Sequence, residues 1–265
     1  MNRERYLNLL AKEYPNIESA SEEIINLNAI LSLPKGTEYF FSDIHGENES
    51  FIHILRSASG IIRTKIDDTF QQSVSEQERS NLASLIYKPE KELLRIKEQE
   101  SYFDDWCKIT IYRLIKVCKA VSSKYTRSKV RKRIPNGFQY IVEELLHTDD
   151  VENKTHYYNE IINAIIDIDI AEKFIVAICD LIGQLSIDKL HIIGDIFDRG
   201  PHADLIMNEL MRIYNVDIQW GNHDISWMGA IAGNWALAAN VIRLGISYNN
   251  FDLLEDGYGI NLRSL

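Results

Sequence analysis

The chain predicts an α/β sheet domain interrupted by a large helical insertion, on three observations. Three short strand-like segments, TEYFFSD, DKLHIIGD and VDIQWGNHD, each run directly into polar residues. Each is followed by a stretch with helical spacing, and strand-loop-helix units in series imply an α/β architecture. Between the first two strands, residues 60 to 185 hold several helical stretches and no convincing alternation. The expected organisation is a helical segment over 1–35, a sheet domain over 36–60 and 186–265, and a helical insertion over 61–185.

Taken in order, SASEEIINLNAILSL reads as helix, with Ser19 and Glu22 spaced as a capping box and apolar residues at Ile24, Ile25, Leu27, Ile30 and Leu31. Pro34 and Gly36 break it, and TEYFFSD is a short strand with aromatics at 39 to 41 that stops at Asp43. ENESFIHILRSAS then forms a helix presenting Phe51, Ile54 and Leu55 to one side, so Asp43 and His45 fall on a strand-to-helix loop. The insertion is expected to contain helices at LASLIYKPEKELLRIKEQE, WCKITIYRLIKVCKAV, FQYIVEELL and a long run from Tyr157 to Leu185. In that run Phe174, Ile178, Leu181 and Leu185 recur at i, i+4, i+7 and i+11, the stripe of an amphipathic scaffold helix. HADLIMNELMRIYN and ISWMGAIAGNWALAANVIRL supply the remaining helices, the latter broken near Gly233.

Composition bounds the function. With 265 residues, 45% hydrophobic and 26% charged, the chain can bury a substantial core. No apolar stretch reaches the roughly eighteen residues that span a bilayer, and the first residues lack a signal-peptide pattern. A cytoplasmic protein without a membrane partner is the expectation. Cys107, Cys118 and Cys179 are odd in number and lack CxxC spacing, which favours reduced, buried thiols over disulfides or zinc ligands. A net charge of −10 argues against a nucleic-acid partner. Against that background, eight cations and no acid lie between Lys116 and Arg133. The run is either a solvated helix face or, through Lys124, Arg127, Arg131, Lys132 and Arg133, a seat for a phosphorylated substrate or effector.

The three strand exits carry the chemistry: FSDIHGE at 41–47, IIGDIFDRGP at 192–201 and QWGNHD at 219–224. Ligands of α/β sheets bind outside the carboxyl ends of strands, where loops converge. Asp43, His45, Asp195 and Asn222 offer two carboxylates, an imidazole and an amide oxygen, a donor set suited to Mn²⁺, Fe²⁺, Zn²⁺ or Mg²⁺ rather than a soft metal. His53, His147, His156, His191 and His202 stand outside these motifs, and His191, on a strand, is expected to pack.

In this order the motifs Asp43-x-His45, Gly194-Asp195-x-x-Asp198-Arg199-Gly200 and Gly221-Asn222-His223-Asp224 resemble the signature of the calcineurin-like metallophosphoesterases. About 150 residues separate the first two, far more than is usual there. SDIHGE, SSKYTRSKVRKRIP, HIIGDIFDRGP, VDIQWGNHD and DGYGINLRSL narrow the likeness, over residues 5 to 265, to the N-terminal half of class III fructose-1,6-bisphosphatases.

The resemblance implies a calcineurin-like sheet and a two-metal site, Mn²⁺ being the leading candidate. Asp195 would bridge the ions, with Asp43 and His45 on one and Asn222 on the other. His223 would assist the leaving alkoxide, Asp198 would accept the other ring proton, Arg199 would hold phosphate oxygens and Asp224 would support the ligands from behind. Asp198 also reads as a helix cap before Gly200 and Pro201. The expected reaction is hydrolysis of fructose 1,6-bisphosphate to fructose 6-phosphate in gluconeogenesis, with a sugar bisphosphate as substrate, an anionic metabolite as candidate effector and room for a homo-oligomer. Superfamily members complete the second metal site with later histidines, whereas His223 is the last here, so the sheet is expected to be incomplete, the second metal weakly held and the activity of the piece low. Competing readings are a Ser/Thr protein phosphatase or dinucleoside tetraphosphatase with the same motifs, and a non-catalytic interaction module built on 61–185.

Overall fold

The computed structural model describes residues 3–147, 152–213 and 215–261. Two helices open the chain, α1 (Arg3–Glu13) and α2 (Ile17–Leu31), and strand β1 (Glu38–Phe41) leads into α3 (Asn48–Ser57). Between α3 and the second strand run α4 (Ile61–Phe70), α5 (Glu76–Tyr87), α6 (Pro89–Gln99), α7 (Phe103–Ser122), the short α8 (Arg127–Arg131), α9 (Gln139–His147), α10 (Glu152–Asp167) and α11 (Ala171–Ser186). The chain then returns through β2 (Lys189–Ile193), α12 (Ala203–Leu210), β3 (Val216–Gln219), α13 (Asn222–Ile231) and α14 (Trp235–Ser247), and a π-helical turn spans Leu253–Gly257. The result is mixed α/β with a small parallel sheet, ordered β1-β2-β3 with Phe40, His191 and Asp217 in register.

Helix signals held where periodicity was strong and failed where backbone chemistry decided. Phe174, Ile178, Leu181 and Leu185 are all buried along α11, at the centre of a helical core that also takes in α4, α5, α7 and α9. The run expected from Tyr157 to Leu185 is instead two helices, parted where Asp169 turns into the left-handed region (φ 56°). LASLIYKPEKELLRIKEQE likewise splits, because Lys88 leaves the helical basin before Pro89, which starts α6 at its first position. On α3 the buried side is Phe51, with Ile52 and Leu55 packed beside it, and Ile54 faces outward. The cap of α2 is Asn16 rather than Ser19: the Asn16 side chain accepts from Ser19 N at 2.8 Å, and Ser19 is its reciprocal partner three positions on. The α2 stripe has no burial to match, for Ile24, Ile25, Leu27, Ile30 and Leu31 are all exposed.

A second core lies under the sheet. Leu190 and Ile192 are fully covered from one side, with Tyr39 and Phe41 beside them, against Phe51, Ile196, Ile206, Leu210 and Trp227. Parallel sheets are normally covered on both faces. Here the opposite face is open and mixed in character, with Phe40 and Ile193 exposed: His191 stacks on Phe40 at 4.5 Å and lies between Glu38 and Asp217 at 3.3 and 3.2 Å. His191 is thus packed, as expected, on the Phe40 ring, with carboxylates facing both of its ring nitrogens. The three cysteines are buried and free, and burial raises the Cys107 and Cys118 thiols to about 12, which keeps them protonated at neutral pH.

At the start of α5, Ser75 donates its hydroxyl to Glu78 at 2.7 Å and Arg113 reaches the same carboxylate at 2.7 Å. The Ser75 hydroxyl first, then Arg113, hold Glu78 down at about 2, from 4.5. A carboxylate with a depressed folded value stabilises the fold at neutral pH, and that contribution disappears as pH falls from about 4.5 towards 2. Glu78→Gln is therefore expected to lower the melting temperature at pH 7 and flatten its decline in acid. Thermal melts across that range check it, and an unchanged acid limb would contradict it.

Candidate metal centre

Three loops at the carboxyl edge of the sheet are sewn into one unit. His45 N donates to Asp195 O at 2.8 Å, Gly46 N to Ile196 O at 2.8 Å, Gly200 N to His45 O at 2.7 Å and His202 N to Gly46 O at 3.1 Å. The approach is close enough to exclude a side chain: a Cβ on Gly200 would lie 2.4 Å from the His45 carbonyl oxygen. The third loop is tied in by Asp224, 5% exposed, whose carboxylate accepts from the amides of Asp195 (2.7 Å), Ile196 (2.9 Å), Phe197 (3.1 Å) and Gly221 (2.8 Å). One side chain thus satisfies four donors on two loops. Asn250, also buried, donates to Gly200 O at 3.1 Å.

These bonds hold the loops in a conformation that side chains resist. Asp43, His45, Asp195, Asp198 and Arg199 all have φ between 47° and 73°. Left-handed backbone at non-glycine residues gathers where surrounding structure over-determines it, which is frequent at functional sites.

Within this frame Asp43, His45 and Asp195 each offer a ligand atom within 4.8 Å of the others. His45 is buried, and its Nδ1 lies 3.2 Å from the Phe197 carbonyl, which requires a proton on Nδ1 and leaves the Nε2 lone pair for a cation. That Nε2 is 3.7 Å from Asp43 Oδ1. Two carboxylates and a neutral imidazole fit a hard or intermediate divalent ion, and the cysteines, buried in the helical core, contribute nothing to it. Asn222 opens α13 with its side chain exposed, and His223 follows, its backbone N–H 3.2 Å from Asp195 Oδ1. The His223 ring meets Asp198 through Nδ1 at 2.8 Å and stands edge-on to His45, with centroids 5.2 Å apart. Asp198 is buried, and its other oxygen accepts from Trp227 Nε1 at 3.1 Å. Arg199 is exposed and forms no ion pair among the described residues.

The basic residues are elsewhere. Lys124 donates to Thr37 Oγ1 and Ser186 O, at 3.3 and 3.4 Å, and Arg133, buried, donates to Gln184 O at 2.7 Å. Both sit at the amino-terminal end of the strands, whereas Asp195 follows the carboxyl end of β2, roughly 20 Å away at about 3.3 Å per residue. Arg131 pairs with Glu143 at 3.3 Å, and Arg127 and Lys132 are exposed. The expected seat for a substrate phosphate on Lys124, Arg127, Arg131, Lys132 and Arg133 therefore lies apart from this cluster, and two of its cations, Lys124 and Arg133, serve the seam between the helices and the sheet. Sequence reasoning passed over Trp227 and Asn250. The i, i+4 spacing of His223 and Trp227 was a usable signal for the first, and nothing local marked the second.

Gly221 has a specific role in this arrangement, since a Cβ there would meet Asp195 Oδ1 at 2.1 Å and Asp195 N at 2.6 Å. Gly221→Ala is expected to displace the Asp195 carboxylate and weaken Mn²⁺ binding by about 10–100-fold with helical content unchanged. Calorimetric titration with circular dichroism checks this, and wild-type affinity would refute it.

Fold and cluster together define an α/β protein built around a candidate divalent-cation centre at the carboxyl edge of its parallel sheet. Residues 5–265 match the model of the Firmicute fructose-1,6-bisphosphatase family, and the chain belongs to that family. It is 60% identical over 262 residues to proteins named fructose-1,6-bisphosphatase class 3 from Clostridium novyi (strain NT) and Clostridium botulinum (strain Hall), a match covering 98% of this chain and 39% of each relative. The chain thus spans about two fifths of the length of these curated relatives. No solved structure gives a significant match. Among the described residues, no helix is long and apolar enough to cross a membrane.

Proposed function

We propose that this chain carries the metal-binding and phosphate-binding loops of a phosphomonoesterase that hydrolyses fructose 1,6-bisphosphate to fructose 6-phosphate and phosphate, on a calcineurin-like sheet. The observation that carries the reading is the juxtaposition, in a member of this family, of the Asp43, His45 and Asp195 cluster with the Asp198–His223 pair. Asp43, His45 and Asp195 would hold one divalent ion, with Asp195 shared and Asn222 serving a second; Mn²⁺ is our first choice and Mg²⁺, Fe²⁺ or Zn²⁺ fit the same donors. Divalent ions bound there supply an acidified water and polarise the phosphoryl oxygens.

The chain's own groups do the rest. Arg199, exposed and without an ion-pair partner among the described residues, presents its guanidinium to non-bridging phosphate oxygens in a two-pronged fashion that lysine cannot match. When protonated on both ring nitrogens, His223 gives its Nε2 proton to the departing sugar oxygen as the P–O bond breaks and returns to the neutral Nδ1–H form, while Asp198 holds Nδ1–H and offsets the ring's charge.

The test is phosphate release in Mn²⁺ from fructose 1,6-bisphosphate, a phosphoserine peptide and a dinucleoside tetraphosphate. It is run on this chain and on its fusion to the remaining segment of the Clostridium novyi relative. Preferential release from the sugar bisphosphate is expected. Faster release from the peptide or the dinucleotide would replace the substrate assignment.

A further inference from the structure

Two side chains of α13 reach one buried carboxylate. His223 and Trp227 are four residues apart and so lie on one face of the helix, one turn from each other. Asp198, 3% exposed, bridges them: Oδ2 meets His223 Nδ1 at 2.8 Å and Oδ1 accepts from Trp227 Nε1 at 3.1 Å. An indole N–H can only donate, so the direction of the second bond is fixed. Trp227 is itself immobilised, 6% exposed, stacked on Phe197 at 4.7 Å and tilted against Tyr258 at 5.2 Å.

A carboxylate anchored through one oxygen can swing, because its terminal torsion is broad and nearly two-fold. Anchored through both, it has one orientation. That constraint matters here because Asp198 and Arg199 both occupy left-handed backbone, at φ 65° and 73°, where the loop has little intrinsic preference for the observed geometry. Phe197, the residue before Asp198, is the one whose ring covers Trp227 and whose carbonyl holds His45 Nδ1. The indole therefore contacts the segment that orients both histidines.

We propose that Trp227 is a positioning residue, whose Nε1–H locks the Asp198 carboxylate and so holds His223 as the Nδ1–H tautomer with Nε2 turned to the reacting group. The consequence for turnover rests on the phosphomonoesterase reading above; the structural claim does not.

The experiment uses ¹⁵N-labelled 265-residue chain. Its four tryptophans give four indole signals, and its seven histidines are resolved by long-range ¹⁵N–¹H correlation. In the wild type, His223 is expected as a single Nδ1–H tautomer, and the Trp227 indole proton is expected to exchange with solvent more slowly than those of the exposed Trp220 and Trp235. Trp227→Phe, which keeps an aromatic ring and removes the donor, should yield a mixture of His223 tautomers. In the Mn²⁺-loaded fusion it should lower kcat about tenfold with KM unchanged. Asp198→Ala should move the Trp227 indole resonance upfield and speed its exchange. A pure Nδ1–H tautomer retained in Trp227→Phe, or an indole resonance unmoved by Asp198→Ala, overturns the proposal. Should Trp227→Phe fail to fold, the wild-type tautomer and exchange rate and the Asp198→Ala shift still decide it. If the tautomer responds while fructose 1,6-bisphosphate is not hydrolysed, the positioning role stands and the substrate assignment falls.

Discussion

Asp195→Asn is expected to weaken Mn²⁺ binding to this chain by more than about 100-fold, since even outer partners of metal ligands cost roughly 10–100-fold. The substitution is nearly isosteric and keeps an oxygen for the His223 backbone N–H, now 3.2 Å from Asp195 Oδ1, so the loop need not move. What it removes is the charge of the carboxylate that stands between the His45 loop and the α13 loop. Phosphate release by the fusion should fall at least as far. Isothermal titration calorimetry is the direct measurement. An affinity within a few-fold of wild type would sink both the ligand assignment and the reading built on it.

Asp224→Ala should be the most destabilising single change in the sheet domain, by about 3–5 kcal/mol. The side chain is 5% exposed and its loss leaves four amide donors, on two loops, without their acceptor. Each buried donor left unsatisfied costs about 1–3 kcal/mol, and partial entry of water should keep the sum below the simple total. Urea unfolding followed by circular dichroism gives the number. Asp224→Asn should fall between the two proteins, because an amide presents one acceptor oxygen and directs N–H groups at donors. A loss below about 1 kcal/mol in Asp224→Ala would mean that the loops are held by something other than this carboxylate.

Much of the architecture was legible because it depends on local periodicity. The strand ends fell where apolar alternation met Asp43, Asp195 and Asn222, and the α11 stripe was visible as four residues spaced for one helix face. The helix breaks were harder. Lys88 is turned out of the helix by the Pro89 that follows it, a break the apolar periodicity did not mark, and Asp169 takes a left-handed conformation (φ 56°) that its side chain does not demand. The exposed stripe of α2 shows the same limit from the other side: periodicity describes what a helix can bury, and contact with a second surface decides whether it does. The basic run from Lys116 to Arg133 was equally ambiguous in one dimension, and its division into seam residues such as Lys124 and Arg133 and exposed ones such as Arg127 and Lys132 is a product of packing.

The sequence by itself determined the inventory of the site, its place at three strand exits and the hard-donor character of any cation bound there, since these follow from residue type and from a side-chain period set by covalent geometry. Only the tertiary structure decided which atoms meet: that Asp224 collects four amides from two loops, that Asp198 is shared between His223 and Trp227, and that the basic segment serves the opposite end of the strands. The physical reason is that backbone donors look alike at every position, so a carboxylate's choice among them is made by the distances that folding creates.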